Sequence, residues 1–367
     1  MARMSTQRDR ARQSFLEWST SLRYSSPLFS ALAQASATDE EILQLGSVAL
    51  PGQPIALITL LAAQYLLLKS PEAKLASYFP SMTTRPMPMG DAFPTFREFC
   101  LEHRVQLMDL IERRTVNSTM VERSSCILPA LAYVGRLAGQ PLTVVEICCS
   151  AGLNLLFDEY HYDYGPAGQV GAEDSPVQLS CKVVGSGRPP VDVIPQVTER
   201  VGVDLVKVDA SDPSERLWME AMLCPEWTLE REHLRAALAV RASRKFRTVI
   251  GDALEILPML LAQLPGAICV FHSYCMGQWS TESKAELDEV FRCASRYRNI
   301  HRIGIDTPDT EPPEWFRRRL AKLASAGVPL LQKCFPSRIE HTLYAGSQAK
   351  THQLGEADGF GGWIDWH

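Results

Sequence analysis

Residues Glu146-Ile147-Cys148-Cys149-Ser150-Ala151-Gly152-Leu153-Asn154 put an acid near the end of an apolar run, then small side chains, then a helical pattern. A carboxylate in that place accepts hydroxyl donors, and small side chains let a ligand approach the backbone. A following helix would offer N–H groups without intrahelical partners. The pattern predicts a cradle for a nucleotide or nucleoside. Three later runs also end in polar residues: Asp204 closes GVD, Asp252-Ala253 follows TVIG, and His272-Ser273-Tyr274 follows AICVF. His272 is expected either to serve as a base, since imidazole titrates near neutral pH, or to be a hydrogen-bonded core residue. Ser150 admits a different chemistry. Cys148–Gly152 has the spacing of a G-x-S-x-G nucleophile elbow with cysteine at the first glycine, and Asp306 followed by His341 or His352 would complete the order Ser, Asp, His.

These residues matter because of the elements that position them. From Thr143 onward short apolar runs (143–149, 202–209, 248–252, 267–274, 300–306 and 338–345) alternate with helical patterns at Ala151–Glu159, Ser214–Met222, Leu229–Val240, Ala253–Gln263, Ser283–Arg296 and Glu314–Ala326. That alternation predicts a doubly wound, mostly parallel α/β sheet with helices on both faces. Ligands of such sheets bind beyond the carboxyl ends of the strands, where the strand order reverses. The first 140 residues read as helices, with apolar periodicity in Phe15–Leu22, Ile42–Val48, Ile55–Leu68, Leu101–Ile111 and Ile127–Leu137 and a Pro- and Met-rich loop at Phe79–Pro94. The expected division is a helical domain over 1–140 and an α/β domain over 141–367, with the break at Gly139-Gln140-Pro141. Glu146 and Asp204 lie 58 positions apart, against about 20 between the corresponding elements of dinucleotide folds. The excess is read as an inserted flap at about 160–200, in which Tyr160, Tyr162 and Tyr164 alternate as one aromatic face, either packing the flap down or covering a cofactor. Trp218, Trp227 and Trp279 are expected between helices and sheet, and Arg317-Arg318-Arg319 on a solvated helix face.

Composition narrows the partners. The 367 residues are 46% hydrophobic and 22% charged, with a net charge of −5, which is ordinary globular composition. Residues 1–140 carry 14 basic and 12 acidic side chains and the remainder 23 and 30, so no basic stripe marks a nucleic-acid binder. The most apolar stretch, Ile55–Leu68, is shorter than the roughly 20 residues that span a bilayer and contains Gln64, which predicts a buried core helix. The basic N-terminus is followed by no apolar run of the kind a secretory leader has. The ten cysteines include no CxxC pair, and the histidines other than His272 show no metal-ligand spacing. A cytoplasmic protein without a metal, a membrane or nucleic acid, acting on a small-molecule substrate, is the expectation.

The Glu146–Gly152 spacing resembles the first motif of class I methyltransferases that use S-adenosyl-L-methionine (SAM), acidic-x-Gly-x-Gly-x-Gly, with the glycine positions on Cys148, Ser150 and Gly152. The resemblance implies a Rossmann-like SAM-methyltransferase fold with SAM as cofactor. It implies ribose contacts from Asp204, adenine contacts from Asp252 with Ala253, and further cofactor contacts from Glu146, Cys148, Ser150, Gly152, Asn154 and Ser273. It places His272 and Tyr274 at the substrate, where the Tyr274 ring would attract a sulfonium cation. Nearly the whole chain also resembles a bacterial family known as domain of unknown function 2332, through LPAL at 128–131, EI-x-x-SAGLNLLFD at 146–158, YDYG at 162–165, GVD at 202–204 and GGWIDW at 361–366. That family looks like a SAM-methyltransferase fold behind a helical domain, and membership implies no particular reaction. Two departures stand out: Ser118-Thr119-Met120 precedes Arg123 where a Thr-Asn-Glu run is expected, and Cys148 replaces a usual glycine. They point to a specialised substrate or to lost activity. Methyl transfer to a small molecule is the leading expectation. Use of SAM's aminocarboxypropyl arm, hydrolysis through Ser150 and a non-catalytic binding role are the alternatives. The helical domain is expected to be a lid, a substrate platform or a dimer surface, the last giving a homodimer.

Overall fold

The computed structural model describes residues 2–307 and 336–367. Glu314–Ala326 and Arg317-Arg318-Arg319 lie outside the described residues. Two compact units emerge, Met1–Ser118 with Asp212–Glu232, and Thr119–Ser211 with His233–His367.

The first unit contains α1 (Ala2–Ser21), α2 (Pro27–Ser36), α3 (Glu40–Gly46), α4 (Ile55–Lys69), α5 (Ala92–Glu102) and α6 (Arg104–Arg113). Capping marks some of their starts. Asp39 accepts hydrogen bonds from the backbone of Glu41 and Ile42 at the head of α3, and Pro27 opens α2, where a missing N–H costs nothing. The expected helix over Leu101–Ile111 is broken at His103 into α5 and α6.

The second unit begins with α7 (Ser124–Ala138), so the division differs from the expected break at Gly139–Pro141. That helix packs on the sheet strands, its apolar face (Ile127, Leu128, Leu131 and Val134) being buried. The strands are β1 (Leu142–Ile147), β2 (His161–Asp163), β3 (Gln169–Val170), β4 (Gln178–Ser180), β5 (Lys182–Val183), β6 (Val197–Asp204), β7 (Arg247–Ile250), β8 (Ala267–Ser273), β9 (Ile300–Asp306), β10 (Pro336–Ala345), β11 (Gln348–Asp358) and β12 (Trp363–Trp366). The later helices are α8 (Pro213–Ala221), α9 (Thr228–Ser243), α10 (Ala253–Gln263) and α11 (Thr281–Ala294). α8 and the start of α9 belong to the first unit. There Gln64, buried on α4, donates to the carbonyls of Ala221 (2.7 Å) and Leu223 (2.6 Å). Trp218 and Trp227 donate to the carbonyls of Thr115 and Ser25, within the same unit. Trp279 packs at the margin of the sheet core.

Among the described residues nine strands form one sheet in the order β5-β12-β11-β10-β9-β8-β1-β6-β7. The run from β9 to β7 is parallel, β10 and β11 follow antiparallel, and β5 joins β12 in parallel at the far edge. Numbered along the chain, the parallel strands read 3-2-1-4-5, so the order reverses between β1 and β8, the crevice in which such sheets bind ligands. Every residue of β1 is buried, as a strand covered on both faces requires. Val145 and Ile147 of β1, Val201 and Val203 of β6, and Ile268 and Val270 of β8 form a core with Leu257 and Leu261 of α10 and Leu287 and Phe291 of α11. Alternate residues, Glu146 among them, therefore face the other side, where α7 lies.

The expected flap over 160–200 is a three-stranded sheet ordered β3-β2-β4, after which β5 pairs with β12. Tyr160, Tyr162 and Tyr164 are fully buried, and their hydroxyls donate to the carbonyls of Leu153 (2.7 Å), Phe157 (2.5 Å) and Ser125 (2.7 Å). Tyr160 and Tyr162 pin the flap to the segment after β1, and Tyr164 pins it to α7.

Register also joins histidines that lie far apart in sequence. His301 Nδ1 and His341 Nε2 are 3.0 Å apart, and His352 is paired opposite His341 on β11. Burial, then the charges of His301 and His352, push His341 down to about 4. The folded chain thus binds this proton later than the unfolded chain does, near 6.5. Stability present above pH 6.5 should be lost as the pH falls toward 4, by about 2 kcal/mol between pH 7 and 5. Urea titrations should show this drop in the wild type and a smaller one in His341→Gln. An equal drop in both would assign the acid sensitivity elsewhere.

Candidate functional site

The loop leaving β1 is the most unusual stretch of backbone in the second unit. Cys148, Ser150 and Gly152 have φ values of 59°, 51° and 71°, so all three positions of the glycine pattern are left-handed although two are not glycine. Each non-glycine residue held there costs about 1–2 kcal/mol. At Gly152 a Cβ would in addition lie 2.5 Å from Phe246 Cζ. Behind the loop, Gly202 makes room for Cys149, whose Sγ would be 2.5 Å from a Cβ on that residue.

Several groups hold the loop. Asp204, ending β6, accepts from Ser150 N (2.7 Å) with Oδ2 and from Val206 N (3.0 Å) with Oδ1. Cys149 N donates to the Val203 carbonyl at 3.3 Å. Arg241 Nε donates to the Ala151 carbonyl at 3.0 Å, with its guanidinium over the Phe246 ring. Tyr160 fixes the Leu153 carbonyl. The expected helix over Ala151–Glu159 is a correction. Only a 3-10 turn, Asn154–Glu159, forms there, with Leu156 non-helical inside it. Positive-φ backbone, and not a helix end, therefore shapes the cradle.

Glu146 lies at the root of the loop, 3% exposed. Ser124 Oγ donates to Asn154 Oδ1 (2.9 Å), which turns Asn154 Nδ2 toward Glu146 Oε1 at 3.5 Å. The other oxygen, Oε2, is buried with no hydrogen-bond partner among the described residues. Burial first, then the nearby Asp204 and Cys148, pushes this carboxyl well above the usual range against the opposing pull of Asn154 and Arg123. A buried carboxylate oxygen without a donor costs of order 1–3 kcal/mol or more, a cost that a ligand hydroxyl would remove.

The remaining candidates divide. Because Glu146 pairs with Gly202 and Phe271 in register, Asp204 and Ser273 share its face and His272 faces the opposite side. His272 is 2% exposed. Its Nδ1 is 2.8 Å from Asp306 Oδ2, and its Nε2 accepts from Arg302 Nε at 3.0 Å. The proton must then sit on Nδ1, leaving no open lone pair. Burial and the Arg302 charge lower its pKa, which keeps the ring neutral. His272 therefore does not stand as the free base expected from its position. Asp306 serves His272 and the Met276 backbone, and not His341 or His352 as the hydrolase order requires. Tyr274, with φ 56°, hydrogen-bonds Ser337 through its hydroxyl and carries the Arg123 guanidinium 4.6 Å from its ring centroid, so one ring face already holds a cation. Asp252 is exposed and caps α10 by accepting from Leu254 N at 2.9 Å, and Ala253 behind it is buried. Ser124 and Arg123 were missed by sequence reasoning as site residues. Arg123 ends the turn before α7 and Ser124 is the first residue of that helix, and the spacing of these residues does not signal contact with β1.

A family model described as an uncharacterized protein conserved in bacteria (DUF2332) matches residues 12–366, and the chain belongs to that family. No curated protein matches the chain. No described helix is long and apolar enough to cross a membrane.

Gly152→Ala should cost about 2–4 kcal/mol, combining left-handed strain with the clash against Phe246. In a Phe246→Ala background the same substitution should cost only the strain, about 1–2 kcal/mol. Chemical denaturation of the four proteins measures both values, and equal costs in the two backgrounds would show that the ring is not the obstacle.

Proposed function

We propose that this chain binds S-adenosyl-L-methionine in the crevice between β1 and β8 and uses it as a transferase acting on a small molecule. The observation that carries the reading is the left-handed backbone at Cys148, Ser150 and Gly152 above the partnerless Oε2 of Glu146. The chain keeps the glycine-type conformation where two glycines are absent and offers a buried acceptor beside it. An ordinary strand-to-helix turn needs neither.

The residues present fit that group. Glu146 Oε2 would accept a ribose hydroxyl, with Asn154 and Ser124 fixing its orientation. The loop backbone from Cys148 to Gly152 would lie along the ligand, with Asp252 and Ala253 on the adenine side and Ser273 toward the acceptor. Asp204 would work chiefly through the loop, since both its oxygens already accept backbone N–H bonds. When bound, SAM supplies an electrophilic carbon next to a sulfonium. The protein's own part is alignment and exclusion of water. A general base is not supported at His272, so an acceptor needing no deprotonation by that residue fits best. Methyl transfer is the leading form of the reading, and transfer or ring closure of the aminocarboxypropyl arm is its variant. The fold family and cytoplasmic placement belong to the same proposal.

Isothermal calorimetry against SAM and S-adenosylhomocysteine tests it. Micromolar binding is expected, weakened by about tenfold or more in Glu146→Gln, which puts an N–H donor in place of one acceptor oxygen. Release of S-adenosylhomocysteine on turnover would identify methyl transfer, and release of methylthioadenosine the other arm. No binding of either ligand by folded wild-type protein would overturn the reading.

A further inference from the structure

Arg123 ends the 3-10 turn Val121–Arg123 that leads into α7. Its Nε donates to the Gly359 carbonyl at 2.9 Å, and its guanidinium lies over the Tyr274 ring. The charges that act on it are Tyr274, Asp306, Glu122 and Glu146, yet none of these carboxylates pairs with it. Glu122 is bonded to His233 Nδ1 at 2.8 Å, Asp306 to His272, and Glu146 is turned toward Asn154. Among the described residues the outer nitrogens of the fork have no hydrogen-bond partner. The side chain is half-buried, and burial lowers its pKa, so an anion brought to the fork would be favourable.

The position is also rigid. A Cβ on Gly359 would run into the Tyr274 hydroxyl and one on Gly361 into the Glu122 carbonyl, and Ser125 Oγ donates to the Gly361 carbonyl at 2.9 Å. The strand-to-strand turn after β11 therefore closes over Arg123 and fixes its direction. An arginine fork held this way matches a carboxylate in two-point geometry.

We propose that Arg123 anchors the carboxylate of the bound ligand's amino-acid arm, so that the site selects nucleoside thioethers bearing a free α-carboxylate over the same nucleoside without that arm. This rests on the SAM reading above and names the second end of the ligand, Glu146 holding hydroxyls and Arg123 holding the acid.

The test compares S-adenosylhomocysteine with 5′-methylthioadenosine, which lacks the amino-acid arm, by calorimetry on wild type, Arg123→Met and Arg123→Lys. Arg123→Met should lose about 10- to 100-fold in affinity for S-adenosylhomocysteine while its affinity for methylthioadenosine stays within about twofold. Arg123→Lys keeps the charge without the fork and should lose roughly fivefold or more in the ratio of the two affinities. If Arg123→Met does not fold, the ratio in the lysine variant decides. An unmoved ratio, or equal weakening of both ligands, would overturn the anchor and leave the SAM reading standing. A wild type that binds neither ligand would overturn both.

Discussion

The Asp204 carboxylate is the contact on which the site depends. Its two oxygens accept the backbone N–H groups of Ser150 and Val206, tying the loop after β1 to the loop after β6. Two non-glycine residues in the left-handed region cost about 2–4 kcal/mol together. Hydrogen bonds to an ionised acceptor contribute about 1.5–3 kcal/mol each, so this one side chain is of the right size to offset that strain. The Tyr160 hydroxyl and Arg241 extend the hold to Leu153 and Ala151. The inserted flap, which looks peripheral in sequence, thus serves the loop directly.

The sheet separates two polar systems by face. Glu146, Asp204, Asn154 and Ser124 lie toward α7. The His272–Asp306–Arg302 chain lies toward α11, where Arg302 also reaches over Phe291. His272, Asp306 and Arg302 partner one another there, a network of the sort that stabilises and specifies packing. On the α7 side Glu146 Oε2 is buried without a hydrogen-bond partner among the described residues. Natural chains seldom leave a buried polar atom unpaired without use, which singles out Glu146 Oε2 on the α7 side.

Much of the architecture was legible in the residues. β9 and α10 occur where their patterns placed them, because their apolar periods are short and clearly bounded. β11 and β12 were not foreseen. QAKTHQLGEAD carries no apolar alternation over its first half, and it becomes a strand by pairing along the whole of β10. The helix expected at Ala151 failed for a local reason. Its apolar residues Leu153, Leu155, Leu156 and Phe157 fit a helical period, but they are buried against the flap and the sheet, which hold the backbone as a kinked 3-10 turn.

The sequence by itself determined the family, the alternation of strands and helices and the strand-end position of Glu146, Asp204, Asp252 and His272, because apolar period and turn composition are local properties. Tertiary structure decided which of those residues share a site. AICVFHS is buried on both faces, so its alternation carries no sign, and only register against β1 and β9 shows that His272 points away from Glu146. It also decided that Cys148 and Ser150 take the conformation of the glycines they replace. A left-handed φ on an ordinary residue is held by its neighbours, here Asp204 and the flap, and those neighbours come from more than fifty residues away in the chain for Asp204.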